Sequence, residues 1–121
     1  MGFIQNARSR NVADRDKSFV VSKLLVDTGS DYTWAPAKEL EKIGVDREKK
    51  DVVFVMANGQ HKTRSLGFVI IRLDGYFTVD EVVFAEKGDL LLLGARSLEG
   101  LNLKVDSKRK KLVAGGPLLA A

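Results

Sequence analysis

The sequence predicts a mainly β fold with two short helices. Three observations carry this: runs rich in Val, Ile, Leu and Phe recur along the chain, clusters of Gly, Asn and Asp punctuate them, and no long stretch keeps a helical period. At 121 residues the chain has room for one domain. Folding would bury roughly two thirds of the unfolded surface, enough for a core without staples. Residues 1–113 are expected to form the domain and 114–121 a flexible tail, because Gly115-Gly116-Pro117 breaks regular structure.

In chain order, Phe3 to Ser9 is expected as a first strand and the polar stretch Arg10–Asp16 as a turn. Lys17–Val26, apolar and β-branched, reads as a second strand ending abruptly at Asp27-Thr28-Gly29-Ser30. Pro36–Ile43 reads as a helix: proline stands in the first turn, Leu40 and Ile43 lie three apart, and Gly44 stops it. Val52–Met56 is a strand closed by Asn58-Gly59, a dipeptide expected to supply positive φ at both positions of a hairpin turn. The return strand runs His61–Leu73, Asp74-Gly75 closes a second hairpin, and Tyr76–Phe84 follows. Ala95–Leu101 reads as the second helix, interrupted by Gly100, and Leu103–Val105 and Lys111–Val113 as two last strand pieces around a basic turn.

Composition excludes several chemistries. Cysteine is absent and His61 is the one histidine, so disulfides, thiolate sites and multi-histidine metal sites cannot form; no cofactor or metal is expected. The net charge is +4, but the two signs are mixed, and only Lys108-Arg109-Lys110-Lys111 forms a compact basic run. That run reads as a solvated turn, and aromatics nowhere alternate with basic residues as on a base-stacking platform, so no nucleic-acid partner is expected. No apolar run is long enough to span a bilayer, and the N-terminus lacks a charged stretch followed by an apolar one. Gly2 is followed by Asn6 where N-myristoylation wants Ser or Thr. A soluble, cytoplasmic protein without a membrane partner is the expectation.

The segment that carries chemistry is Leu25-Val26-Asp27-Thr28-Gly29-Ser30-Asp31. A carboxylate at the end of a buried strand is held in one orientation, as a general acid or base must be. Thr28 can bond backbone groups, Gly29 lets another backbone come close, and Ser30 can donate a hydrogen bond to the Asp27 carboxylate. The tetrapeptide is also ordinary turn chemistry after a strand. It matches the Asp-x-Gly-Ser/Thr phosphate loop of actin-like and sugar kinases as well, but that fold needs two large domains and the chain is too short for them.

About sixty-five residues after Asp27, Leu92-Leu93-Gly94 precedes the second helix. The two signatures together, hydrophobic-hydrophobic-Asp-Thr-Gly-Ser and hydrophobic-hydrophobic-Gly, make the chain resemble the retropepsin-like aspartic proteases, specifically their small single-domain prokaryotic members, over Lys17 to Val113. The resemblance implies one half of an acid-protease fold: a closed β-barrel with two short helices that pairs with its twin about a twofold axis. It implies catalysis by Asp27 and support from Thr28, Gly29 and Ser30. Gly29, Asp31 and the flap tip Ala57-Asn58-Gly59 would contact an extended polypeptide substrate. Val55, Met56, Val82, Leu92 and Leu93 are candidate pocket walls.

Such proteolysis uses two carboxylates that share one proton and one water, since two so close cannot both ionise readily. The chain holds one Asp-Thr-Gly copy, so the pair would require Asp27 from each of two identical chains. Some features depart from the viral members. Arg96 stands two positions after Gly94 where viral enzymes place arginine directly after that glycine, which leaves a pairing with Asp31 unsupported. The flap tip has a single glycine, so a shorter or stiffer flap is expected. Tyr32 and Trp34 are expected to pack over the first helix, and His61 to be a surface residue. A peptide-binding or oligomerisation module with the same fold and no turnover is the alternative.

Overall fold

The computed structural model describes residues 3–120; the expectations for Met1, Gly2 and Ala121 fall outside them. The mainly β expectation is met. The strands are β1 (Ile4–Asn11), β2 (Ser18–Val26), β3 (Thr33–Pro36), β4 (Lys49–Val55), β5 (His61–Leu73), β6 (Tyr76–Ala85), β7 (Leu92–Leu93), β8 (Leu103–Asp106) and β9 (Lys111–Ala114). The helices are α1 (Ala37–Lys42) and α2 (Ala95–Leu101).

Seven strands form one sheet in the order β1-β2-β7-β3-β6-β5-β4, and β1 also pairs with β5, so the ladder returns to its first strand. The return is possible because β5 is long. Its first half, His61 to Leu66, pairs with β4, while Val69 to Arg72 pairs with β1 along the same edge. On its other edge β5 pairs with β6 from Leu66 to Leu73. Two pairings are parallel, β2 with β7 and β3 with β6, and they bring together segments far apart in sequence. Strands β8 and β9 make a separate hairpin.

Two strands were not expected. β3 and β7 are four and two residues long, too short for a period-2 pattern, and both are buried on both faces. Pro36 therefore ends β3 and caps α1 instead of standing inside the helix. α1 stops where Gly44 takes φ 79°, and the buried Asn11 amide donates to the Ile43 carbonyl at 2.6 Å, satisfying an orphan acceptor at the helix end. β2 departs from strict alternation because Lys23 adopts φ 62° in a bulge opposite Asn6, whose side-chain oxygen accepts from the Lys23 N–H. α2 runs through Gly100 because that position rests on β6: an added Cβ would lie 2.4 Å from Thr78 Oγ1. β9 extends to Ala114, after which Gly115 N–H donates to the Asn102 carbonyl and Gly116 accepts from the Asn102 amide, each at 2.8 Å.

The main core gathers Val26, Leu40, Val69, Ile71, Val82, Phe84 and Leu93, which are nearly inaccessible, with Leu98 and Leu101 of α2 packed against them. A second cluster centres on Trp34, Leu66, Val83 and Leu92, with Tyr32, Phe54 and Met56 packed against it. The first cluster holds the sheet and helices together. The second joins the β4–β5 hairpin to the loop that follows β2.

Candidate active site

The loop after β2 is held by the far end of the chain. Asp27 N–H donates to the Leu93 carbonyl at 3.0 Å, so β7 fixes the point at which the carboxylate leaves the sheet. Beyond β7, the first N–H groups of α2 receive the loop's carbonyls: Ala95 N–H to Ser30 O at 2.7 Å and Arg96 N–H to Asp31 O at 3.0 Å. These are donors a helix start cannot satisfy internally. Gly94 is where the two segments touch, and a Cβ there would lie 2.4 Å from the Tyr32 carbonyl oxygen. Only glycine allows this approach.

Beneath the loop runs a buried polar relay. Gly94 N–H donates to Thr33 Oγ1 at 2.9 Å, Thr33 Oγ1 lies 2.6 Å from Ser97 Oγ, and Ser97 Oγ donates to Asp80 Oδ2 at 2.8 Å. Because the carboxylate and Gly94 fix the two ends, the Thr33 hydroxyl donates to Ser97. The relay ties β3, β6, β7 and α2 into one support.

Within the loop, Asp27 Oδ1 accepts the Gly29 N–H at 2.9 Å, and Ser30 N–H donates to the Asp27 carbonyl at 3.2 Å. The half-buried carboxylate is thereby oriented by its own turn. The expected Ser30-to-carboxylate bond is replaced: Ser30 Oγ donates to the Tyr32 carbonyl at 3.0 Å, and the backbone of Gly29 serves Asp27 instead. Thr28 is exposed beside it, and among the described residues its hydroxyl makes no hydrogen bond.

Asp27, Gly29, Ser30 and Asp31 form one side of a cleft of ≈ 410 Å³. Val53 to Ala57 of the β4–β5 hairpin roof it, and Tyr32, Trp34, Leu90 and Leu92 complete the walls. Asp27 and Asp31 are its charged groups; the rest is mostly apolar. Asn58 lines a smaller adjoining depression together with Met56, Lys62 and Leu90, and Gly59 lines neither. Of the candidate walls, Val55, Met56 and Leu92 face the cleft, whereas Val82 and Leu93 are fully buried core.

Tyr32 and Trp34 do not pack over α1. Both meet Phe54 of the hairpin edge-on at 5.5 Å between ring centroids, so they support the roof. Arg96 makes no ion pair with Asp31 among the described residues; its guanidinium lies 4.7 Å over the Tyr32 ring and 3.6 Å from Glu81. His61 is exposed. At the hairpin tip Gly59 takes φ 84°, but Asn58 does not have the positive φ expected of it. Instead Gly59 N–H bonds Met56 O and Met56 N–H bonds Gln60 O, a three-residue loop in which Asn58 Oδ1 accepts from Gln60 N–H.

Sequence reasoning missed Asp89. Its side chain is 2% exposed and accepts hydrogen bonds from Lys62 and Arg64 of β5 and from the Glu86 N–H. Burial works to raise its pKa, but those bonds, followed by the charge of Arg64, hold it well below the usual carboxylate range. The bond to Asp89 in turn raises Arg64. Residues 25 apart with no motif between them leave no spacing signal. Among the described residues no three His, Cys, Asp or Glu side chains converge as a metal site would require.

No curated protein matches the chain. A family model described as aspartyl protease matches residues 16–97, a stretch that begins just before β2 and ends inside α2. It spans the Asp27 loop, the hairpin above it and the Gly94 contact below it. With more than half its length so matched, the chain belongs to the aspartyl protease family, in the retropepsin-like clan.

Proposed function

We propose that the protein is an aspartic endopeptidase whose active site forms on the twofold axis of a homodimer. The observation that carries the reading is the placement of a single oriented carboxylate, Asp27, in a cleft roofed by the β4–β5 hairpin. One such group per chain is half of a dyad, and a twin supplies the other half. The ladder that returns to β1 is read as one closed barrel of the pair. Thr28, exposed and without a hydrogen-bond partner among the described residues, would bond the partner's backbone across the axis.

In this mechanism the two Asp27 carboxylates share one proton and hold one water. The ionised member takes a proton from the water as its oxygen attacks the peptide carbonyl, while the protonated member donates to the developing oxyanion. Proton transfer to the nitrogen then releases the amine. The substrate lies extended between the Asp27 loop and the hairpin, bonded through its backbone to Gly29, Asp31 and the Ala57-Asn58-Gly59 tip, with side chains in alternating apolar pockets. The hairpin acts as a flap that excludes water.

The test is cleavage of an unfolded polypeptide across a range of protein concentrations. Activity per chain should rise with concentration as dimer forms, and Asp27→Asn should remove it by at least about a hundredfold while leaving fold and dimer intact. Activity that persists in Asp27→Asn overturns the reading. A folded wild-type protein that binds peptides without cleaving them supports a silent peptide-binding module instead.

A further inference from the structure

The β4–β5 hairpin is unusually poorly supported by the sheet. β5 gains its second neighbour, β6, only from Leu66 onward, so residues 52–65 project as a two-stranded ribbon with β4 at the open end of the strand order. Such a ribbon is marginal in water by itself. Val52, Phe54 and Met56 give it an apolar footing on the Trp34 cluster, with Phe54 edge-on to Tyr32 and Trp34, and an ionic support is added to it.

That support is Asp89. Oδ1 accepts from Lys62 Nζ at 2.8 Å and Arg64 Nη2 at 3.0 Å; Oδ2 accepts from Arg64 Nε and the Glu86 N–H, both at 2.8 Å. Lys62 and Arg64 lie two apart and so share one face of β5. They reach a loop that is not part of the ribbon, and the next residue of that loop, Leu90, is 67% exposed and forms a wall of the cleft.

We infer that Asp89 is a positioning residue: it latches the return strand of the flap to the loop carrying the Leu90 wall, so that roof and wall move as one body and opening is confined to the tip, residues 55–61. This rests on the endopeptidase reading for its catalytic consequence, though not for the latch itself. Asp89 itself is shielded from solvent and Arg64 nearly so, so ordinary salt concentrations leave the latch closed. A substrate then meets a preformed pocket between Phe54, Leu90 and Leu92, with only the tip left to order.

Hydrogen exchange by mass spectrometry on the full-length protein, with peptidase kinetics, tests this. In Asp89→Asn the amides of residues 52–64 and 86–90 should exchange about tenfold faster together, while residues 27–33 and the β1–β2 pair keep their protection. KM should rise about tenfold with kcat within about twofold, because a flap found closed a tenth as often binds correspondingly less well but reacts normally once closed. Lys62→Met, which removes one leg of the latch at a half-exposed site, should give the same pattern at about threefold and covers the case in which Asp89→Asn does not fold. Faster exchange spread evenly over the sheet, unchanged exchange in the ribbon, or a fall in kcat at constant KM would each overturn the latch. A wild-type protein without peptidase activity defeats the functional reading alone; the exchange pattern then still decides the latch.

Discussion

Gly94 shows how much of the site is decided by single atoms. Its missing side chain lets the backbone of residues 31–32 lie against the start of α2, and its N–H opens the relay through Thr33 and Ser97 to Asp80. In Gly94→Ala the new methyl would meet backbone carbonyl atoms, which cannot rotate away as a side chain does. The variant should lose about 1–3 kcal/mol of stability, measured by urea unfolding, with peptidase activity falling further than stability because the Asp27 loop must move. Asp27 and Gly94 were both legible as members of ordered motifs. The relay was not: Thr33 and Ser97 lie 64 residues apart, and hydroxyls carry no signal until the fold brings them within 2.6 Å. The Ser30 bond was misjudged for a related reason, since a backbone N–H two residues on can satisfy the carboxylate as well as a hydroxyl can.

At the scale of elements, long strands and hairpins were legible and short buried strands were not. His61–Leu73 matches β5 at both ends because turn residues close it and β-branched residues fill it. β3 and β7 escaped because strands of four and two residues take their identity from neighbours, Val82 to Ala85 for one and Leu25 and Val26 for the other. α2 illustrates the converse, a helix that keeps a poor helix former for a packing reason. Replacing an interior glycine with alanine ordinarily stabilises a helix by about 1 kcal/mol. Gly100→Ala should instead destabilise the protein by about 1 kcal/mol, since the methyl lands on the β-branched Thr78 in β6, a net loss once overpacking exceeds the propensity gain. In a Thr78→Ala background the penalty should shrink or reverse, a coupling that a double-mutant cycle of urea midpoints would measure.

Over the whole molecule, the order β2-β7-β3 does what the linear motifs only implied: it inserts Leu92 and Leu93 between the strand that leads into Asp27 and the strand that follows it. The Asp27 carboxylate is therefore held by main-chain bonds, while the roof above it combines an apolar footing with one carboxylate, Asp89. This division has a pH consequence. Asp89 has a folded-state pKa below its unfolded value of about 3.8, so its contribution is fully present above the unfolded value and is lost as pH falls through the folded one. Removing one partner of a fully buried ion pair costs about 3–5 kcal/mol; Lys62 at 29% exposure brings this case down to about 1.5, which matches a tenfold change in opening. The stability gap between wild type and Asp89→Asn, from urea unfolding at fixed ionic strength, should be constant from pH 7 to pH 5. It should begin to narrow as pH falls below the unfolded value of about 3.8 and be lost through the lower, folded-state one. A gap already absent at pH 7, as linkage requires of a carboxylate whose pKa is the same folded and unfolded, would mean that Asp89 adds no ionic support and that the roof is held by its apolar footing alone.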